Sequence, residues 1–122
     1  CCDDEHAAET IHRLWTEEKY LCDTHTAVAV RVYEDYRART GDETPTVIAS
    51  TASPYKFSTA VLEAIEGKVS DMDEFDKVER LHEVSGYDVP KSLAELKNKP
   101  IRFTGAIGRD EMKDFVLKSL SL

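Results

Sequence analysis

Long apolar runs are missing from this 122-residue chain. None approaches the roughly 20 residues needed to cross a bilayer as a helix, which argues against a membrane segment. Cysteine is scarce, at Cys1, Cys2 and Cys22, an odd number with no framework spacing. That points away from a secreted disulfide scaffold and towards a reduced, cytoplasmic setting, and no signal-peptide pattern is visible. Basic charge is in deficit: 16 Lys and Arg face 24 Asp and Glu, for a formal net charge of −8. No Lys/Arg cluster stands out, so the footprint that binds nucleic-acid backbone is absent. Catalytic signatures are sparse as well, since no Gly-rich phosphate loop, G-x-S-x-G elbow or H-E-x-x-H pair occurs.

What is present is 41% hydrophobic and 33% charged, the balance of a water-soluble chain rich in amphipathic helices. The length suits one domain or a piece of one. The chain opens Cys-Cys-Asp-Asp rather than with Met, which suggests that a further segment precedes it.

Capping and periodicity predict six helices. Asp3 or Asp4 starts the first, carrying Ile11, Leu14 and Trp15 to about Glu18. Asp23 caps a second, in which Ala29, Val32, Tyr33 and Tyr36 share a face and Gly41 is the stop. Ser53-Pro54 opens a third through Phe57, Val61, Leu62 and Ile65 to Gly67. Ser70 and Asp73, spaced as a capping box, introduce a fourth through Phe75, Val78, Leu81 and Val84 to Gly86. Pro90 begins a short fifth, and Met112, Phe115, Val116 and Leu120 lie on a sixth.

Between the second and third helices stands TVIASTASPYKF, residues 46–57. Val47, Ile48 and Ala49 do not alternate with polar residues, which predicts a strand buried on both faces. The expected fold class is therefore α/β: a mostly helical fragment with a central strand at 46–51 and a second short strand at 101–103, within a larger three-layer sheet domain. A buried strand must be paired, so its partners are either residues 101–103 or segments outside this chain.

Hydroxyls at the carboxyl end of such a strand, Ser50, Thr51 and Ser53, are placed to meet a phosphate or a ring nitrogen. Ordinary capping and turn chemistry accounts for the same residues. Lys56 reads either as a reach towards an anion or as a solvated surface lysine. His25 titrates near neutrality and so suits acid–base work, yet no catalytic partner is identifiable for it. Cys22 and His25 have a spacing that zinc tolerates, but the remaining ligands lack a pair motif, and no metal site is assigned. His82, among apolar helical positions, reads as a core-edge histidine.

Three segments together resemble the threonine synthase family. Ser50 to Phe57, STASPYKF, is similar to a small-Thr-Ala-x-Pro-x-Lys-Phe segment near the end of those enzymes. Asp23-Thr24-His25-Thr26-Ala27 is similar to their Asp-Pro-His-Thr-Ala, with Thr24 replacing the usual proline. The stretch from Val89-Pro90-Lys91 to Lys99-Pro100-Ile101-Arg102-Phe103 is similar to the tail of bacterial members. The resemblance implies a fold-type II pyridoxal-phosphate enzyme that converts O-phospho-L-homoserine and water to L-threonine and phosphate. By position, Thr51 matches the hydroxyl that meets the cofactor's pyridine nitrogen, with Ser50 the neighbouring candidate. His25, Thr26 and Lys56 match positions that shape the site. The cofactor's anchoring lysine, its phosphate cradle and most of the sheet lie earlier in that family's chain. This chain is then a C-terminal part, inactive alone, whose partners are the missing N-terminal part and a small-molecule substrate, with self-association as a further expectation. Two alternatives stand beside it: a self-contained helical binding module, or a related pyridoxal-phosphate lyase acting on another phosphorylated amino-acid-like substrate.

Overall fold

Aspartates close the N-termini of the major helices. In the computed structural model, which describes residues 1–69 and 71–121, Asp3 caps α1 (Asp4–Glu18), Asp23 caps α2 (Thr24–Thr40) and Asp73 caps α4 (Glu74–Ser85). Each side chain accepts a hydrogen bond from first-turn backbone N–H groups that the helix itself leaves without partners. Asp73, expected as the third helical residue after a Ser70 cap, is itself the cap; Ser70 lies outside the described residues. Ser53 accepts from Tyr55 N–H at 3.3 Å and, with Pro54 in the first position, opens a 3-10 turn (Pro54–Phe57) that runs into α3 (Ser58–Glu66). Gly41 and Gly86 end α2 and α4 at φ of +69° and +70°, where a Cβ would be strained. Further on lie α5 (Lys91–Ala94) and α6 (Met112–Ser119), each joined to a 3-10 turn.

The core forms where α1, α3 and α4 meet the start of α2. Ile11, Leu21, Cys22, Ala27, Tyr55, Val61, Leu62, Val78 and Leu81 are buried together, with Leu14, Trp15, Phe57 and Ile65 packed against them. Burying each large aliphatic of this set contributes about 1.5–3 kcal/mol. Ion pairs brace the outside, Arg13 to Glu34 between α1 and α2 and Arg80 to Glu66 between α3 and α4, both at 2.7 Å. The α2 face of Ala29, Val32 and Tyr36 is exposed, and only Thr26 and Ala27 of that helix are buried.

The expected α/β class is corrected: the fold is helical, and no strand forms among the described residues. Residues 46–51 are irregular, and Val47 stands 95% exposed. Residues 101–103 are irregular too, with Ile101 at 82% and Phe103 at 83% exposure. The reason is pairing. A lone extended segment leaves its N–H and C=O groups to water, and neither segment supplies the other with a partner. From Ala94 to Ser121 every described residue is exposed, so α6 lies off the core.

Candidate functional site

The cap of α2 is also the centre of a polar cluster. Asp23, 0% exposed, accepts from His25 N–H at 2.9 Å and Thr26 N–H at 3.4 Å through one oxygen, and from the Thr26 hydroxyl through the other. His25 Nδ1 lies 3.1 Å from the same carboxylate. Burial pushes the Asp23 carboxyl up, but the Thr26 hydroxyl and the His25 and Thr26 N–H groups outweigh it, holding the group below the ordinary carboxylate range. No buried side-chain polar atom among the described residues lacks a partner.

Thr26 carries the cluster outward. Its Oγ1 lies 3.0 Å from Ser50 Oγ, joining residues 24 apart in sequence. A threonine hydroxyl has one hydrogen, and an ionised carboxylate can only accept. The Thr26 hydroxyl is aimed at both the Asp23 carboxylate and Ser50 Oγ, so its one hydrogen is shared between two acceptors. Ser50 accepts at this contact, while Thr51 beside it is exposed and has no hydrogen-bond partner among the described residues. Of the two candidates for a ring nitrogen, Ser50 is tied to the helix and Thr51 is not.

Among the described residues, His25 has Asp23 and Thr24 as its side-chain hydrogen-bond partners and no further titratable group. Its side chain is 65% exposed, and its ring lies 4.9 Å from that of Phe57 at an interplanar angle of 58°. Thr26 is buried against the core, and Lys56 is exposed on the 3-10 turn. His82, expected at the core edge, is exposed, with Nδ1 2.7 Å from the Tyr87 carbonyl. The Cys22 thiol is buried and pushed up to about 11 by that burial and by the charge of Asp23, which keeps it protonated at neutral pH.

A cavity of about 590 Å³ opens between α1, α2 and α3, lined by Ala7, Ile11, His25, Val28, Ala60 and Ala64 among others. It touches the cluster through His25 and does not include Ser50 or Thr51. A phosphate has no cradle here: the first-turn N–H groups of α2 are taken by Asp23, and Tyr55 N–H is taken by Ser53. Thr51 offers one exposed hydroxyl at this point, and no cluster of free backbone N–H groups that would suit a phosphate accompanies it among the described residues.

Sequence reasoning missed two participants. Asp23 was legible as a cap but not as the buried hub, and Tyr55, also buried, donates its hydroxyl to the Tyr87 carbonyl, pinning the 3-10 turn to the end of α4. The acid three residues before Thr26 was a signal for the first; nothing local marked the second.

Fold and site define a helical unit that presents a hydroxyl-bearing loop beside a capped helix start. The family described as threonine synthase, C-terminal, matches residues 26–116, and the chain belongs to that family. The matched span begins at Thr26 and takes in Ser50, Thr51 and Lys56, while His25 lies just before it. Membership ties the chain to threonine biosynthesis and to enzymes of the lyase type. No helix among the described residues is long and apolar enough to cross a membrane.

Proposed function

We propose that this chain is the C-terminal part of a pyridoxal-phosphate-dependent threonine synthase, which converts O-phospho-L-homoserine and water to L-threonine and phosphate. The match over residues 26–116 carries the reading. The exposed Thr51 hydroxyl, next to a Ser50 that is held by Thr26, supports it. The cofactor, when bound, supplies an electron sink for the amino-acid substrate. Thr51 hydrogen-bonds the ring nitrogen as a neutral alcohol, which tunes that sink without enforcing protonation of the ring as a carboxylate partner does. Ser50 and Thr26 fix the loop, the rings of His25 and Phe57 lie against each other at the start of α2, and Lys56 shapes the site from the exposed 3-10 turn. The covalent anchor and the phosphate cradle belong to the rest of the enzyme, so the chain alone is inactive.

In the intact synthase, Thr51→Ala is expected to lower turnover by on the order of 10-fold or more, while Lys68→Ala, on the exposed turn after α3, leaves it near the parent value. Equal activities of the two variants would remove Thr51 from the site. For the isolated chain, borohydride treatment with pyridoxal phosphate is expected to trap no adduct at a unique lysine, and one stoichiometric adduct at Lys56 would overturn the division of labour. The closed helical core also suits a second reading, a binding module without catalysis. That reading requires the intact protein to be indifferent to Thr51→Ala.

A further inference from the structure

The loop between α2 and the Pro54 turn is tied to α2 at its start, where Asp42 accepts from the Tyr36 hydroxyl at 2.7 Å and from Arg37 at 3.3 Å, and is loosely attached beyond it. Among the described residues, the Thr26–Ser50 contact is the one hydrogen bond that joins residues 43–52 to the packed helices. Other bonds in this stretch are local, such as Thr46 to the Thr44 carbonyl at 3.0 Å and Thr44 to Asp42. Apolar packing is partial here: Ile48 and Ala52 are half-buried, whereas Val47 is almost wholly exposed and Ser50 and Thr51 are exposed. On its far side Thr51 is followed by Ala52 and the Ser53 cap, and on its near side the one hydrogen-bonded anchor is the Ser50 hydroxyl.

That anchor is stiff on its inner side. Thr26 is 4% exposed and sits in the first turn of α2, and its hydroxyl is oriented by a carboxylate that is itself held by two backbone N–H groups. The Thr26 hydroxyl is confined between two acceptors, the Asp23 carboxylate and Ser50 Oγ, so its rotor is limited to the arc that joins them. The chain of bonds runs Ser50 to Thr26 to Asp23 to the backbone of α2, a path with no exposed side chain between Ser50 and the helix.

We propose that Asp23 and Thr26 are positioning residues: through Thr26, the buried Asp23 carboxylate holds Ser50 and so sets where the Thr51 hydroxyl stands. The part played by Thr51 rests on the cofactor reading above, whereas the tether itself does not. Asp23 also caps α2, so the tether is tested at its other two members.

Thr26→Val keeps the shape and removes the hydroxyl, Thr26→Ser keeps the hydroxyl, and Ser50→Ala cuts the bond from the exposed side. In the 122-residue chain, backbone ¹⁵N relaxation is expected to give order parameters of about 0.8 at Ser50 and Thr51 in the parent and in Thr26→Ser. Values below about 0.6 are expected in Thr26→Val and Ser50→Ala. Unchanged order in both hydroxyl-deleted variants overturns the tether, and Ser50→Ala decides the matter if Thr26→Val does not fold. In the intact synthase, Thr26→Val is expected to lower kcat by on the order of 10-fold or more with little change in KM, to shift the absorption band of bound pyridoxal phosphate, and to be rescued by Thr26→Ser. Loss of loop order with no effect of Thr51→Ala on that band sinks the cofactor reading and leaves the tether standing. A band that responds to Thr51→Ala but not to Thr26→Val or Ser50→Ala sinks the positioning role.

Discussion

At the scale of single residues, this chain invests its acids in helix starts. Asp3, Asp23 and Asp73 each cap a helix, and all three carboxyls lie below the ordinary range because first-turn donors favour the charged form; at Asp23 this overrides the opposing push of burial. Asp42 is held lower still, at about 2, by the hydroxyls of Thr44 and Tyr36. A folded carboxyl pKa below the unfolded value of about 4 stabilises the fold fully above pH 4, and that contribution drains away as pH falls through the folded values. Helix content by circular dichroism is therefore expected to be flat from pH 7 to about 5 and to fall between about pH 4 and 2. A melting temperature that holds steady across that acid window would show that the caps contribute nothing. Asp23→Ala is expected to cost about 2–3 kcal/mol in denaturant unfolding, since it strips a cap and leaves the buried Thr26 hydroxyl without its carboxylate acceptor. A loss under 1 kcal/mol would demote the cluster to decoration.

Helices and loops divide by what sequence can encode locally. The helix ends were readable because Asp, Ser-Pro and Gly act within one turn of where they stand, and Asp23, Pro54, Gly41 and Gly86 each do what their chemistry dictates. Residues 46–51 misled because apolar, β-branched composition states a preference for a strand, whereas forming one requires a neighbour that composition does not name. Val32 and Tyr36 misled in a related way: their spacing marks an apolar face of α2 but not whether anything covers it. The Thr26–Ser50 bond was illegible for the same reason, since no local pattern ties positions 24 apart. The end of α1, read at about Glu18 and found there, carries no glycine stop. Lys19 ends α1 at φ +54°, a left-handed position that glycine occupies without strain. Lys19→Gly is expected to raise stability by about 1 kcal/mol, less a few tenths for the lost contact of its ammonium with the Trp15 ring at 5.6 Å. A thermal melt that moves downward would count against the strain.

For the whole molecule, a closed core coexists with a large uncovered apolar surface. The core owes nothing to the tail, since residues 94–121 are exposed throughout. Truncation after Asn98 is expected to leave the unfolding free energy within about 0.5 kcal/mol of the parent, while Leu62→Ala, at the centre of the core, costs about 2–5 kcal/mol. The tail and loop instead display Val47, Ile101 and Phe103, with Met112, Phe115 and Val116 on α6 and Leu120 just after it. Exposed apolar groups of this number favour association, and a net charge of −8 opposes it. Salt decides between the two. Repulsion between like-charged copies reaches over about 30 Å at 0.01 M ionic strength but only about 8 Å at 0.15 M, while apolar attraction is not screened. The isolated chain is therefore expected to bind a hydrophobic dye, to sediment as a monomer at low salt and to gain mass as salt is raised. Removing residues 99–121 should abolish most of both effects. A monomer that binds no dye at any ionic strength would mean that this surface is covered in solution by the chain itself, and the reading of the chain as part of a larger enzyme would lose its physical support.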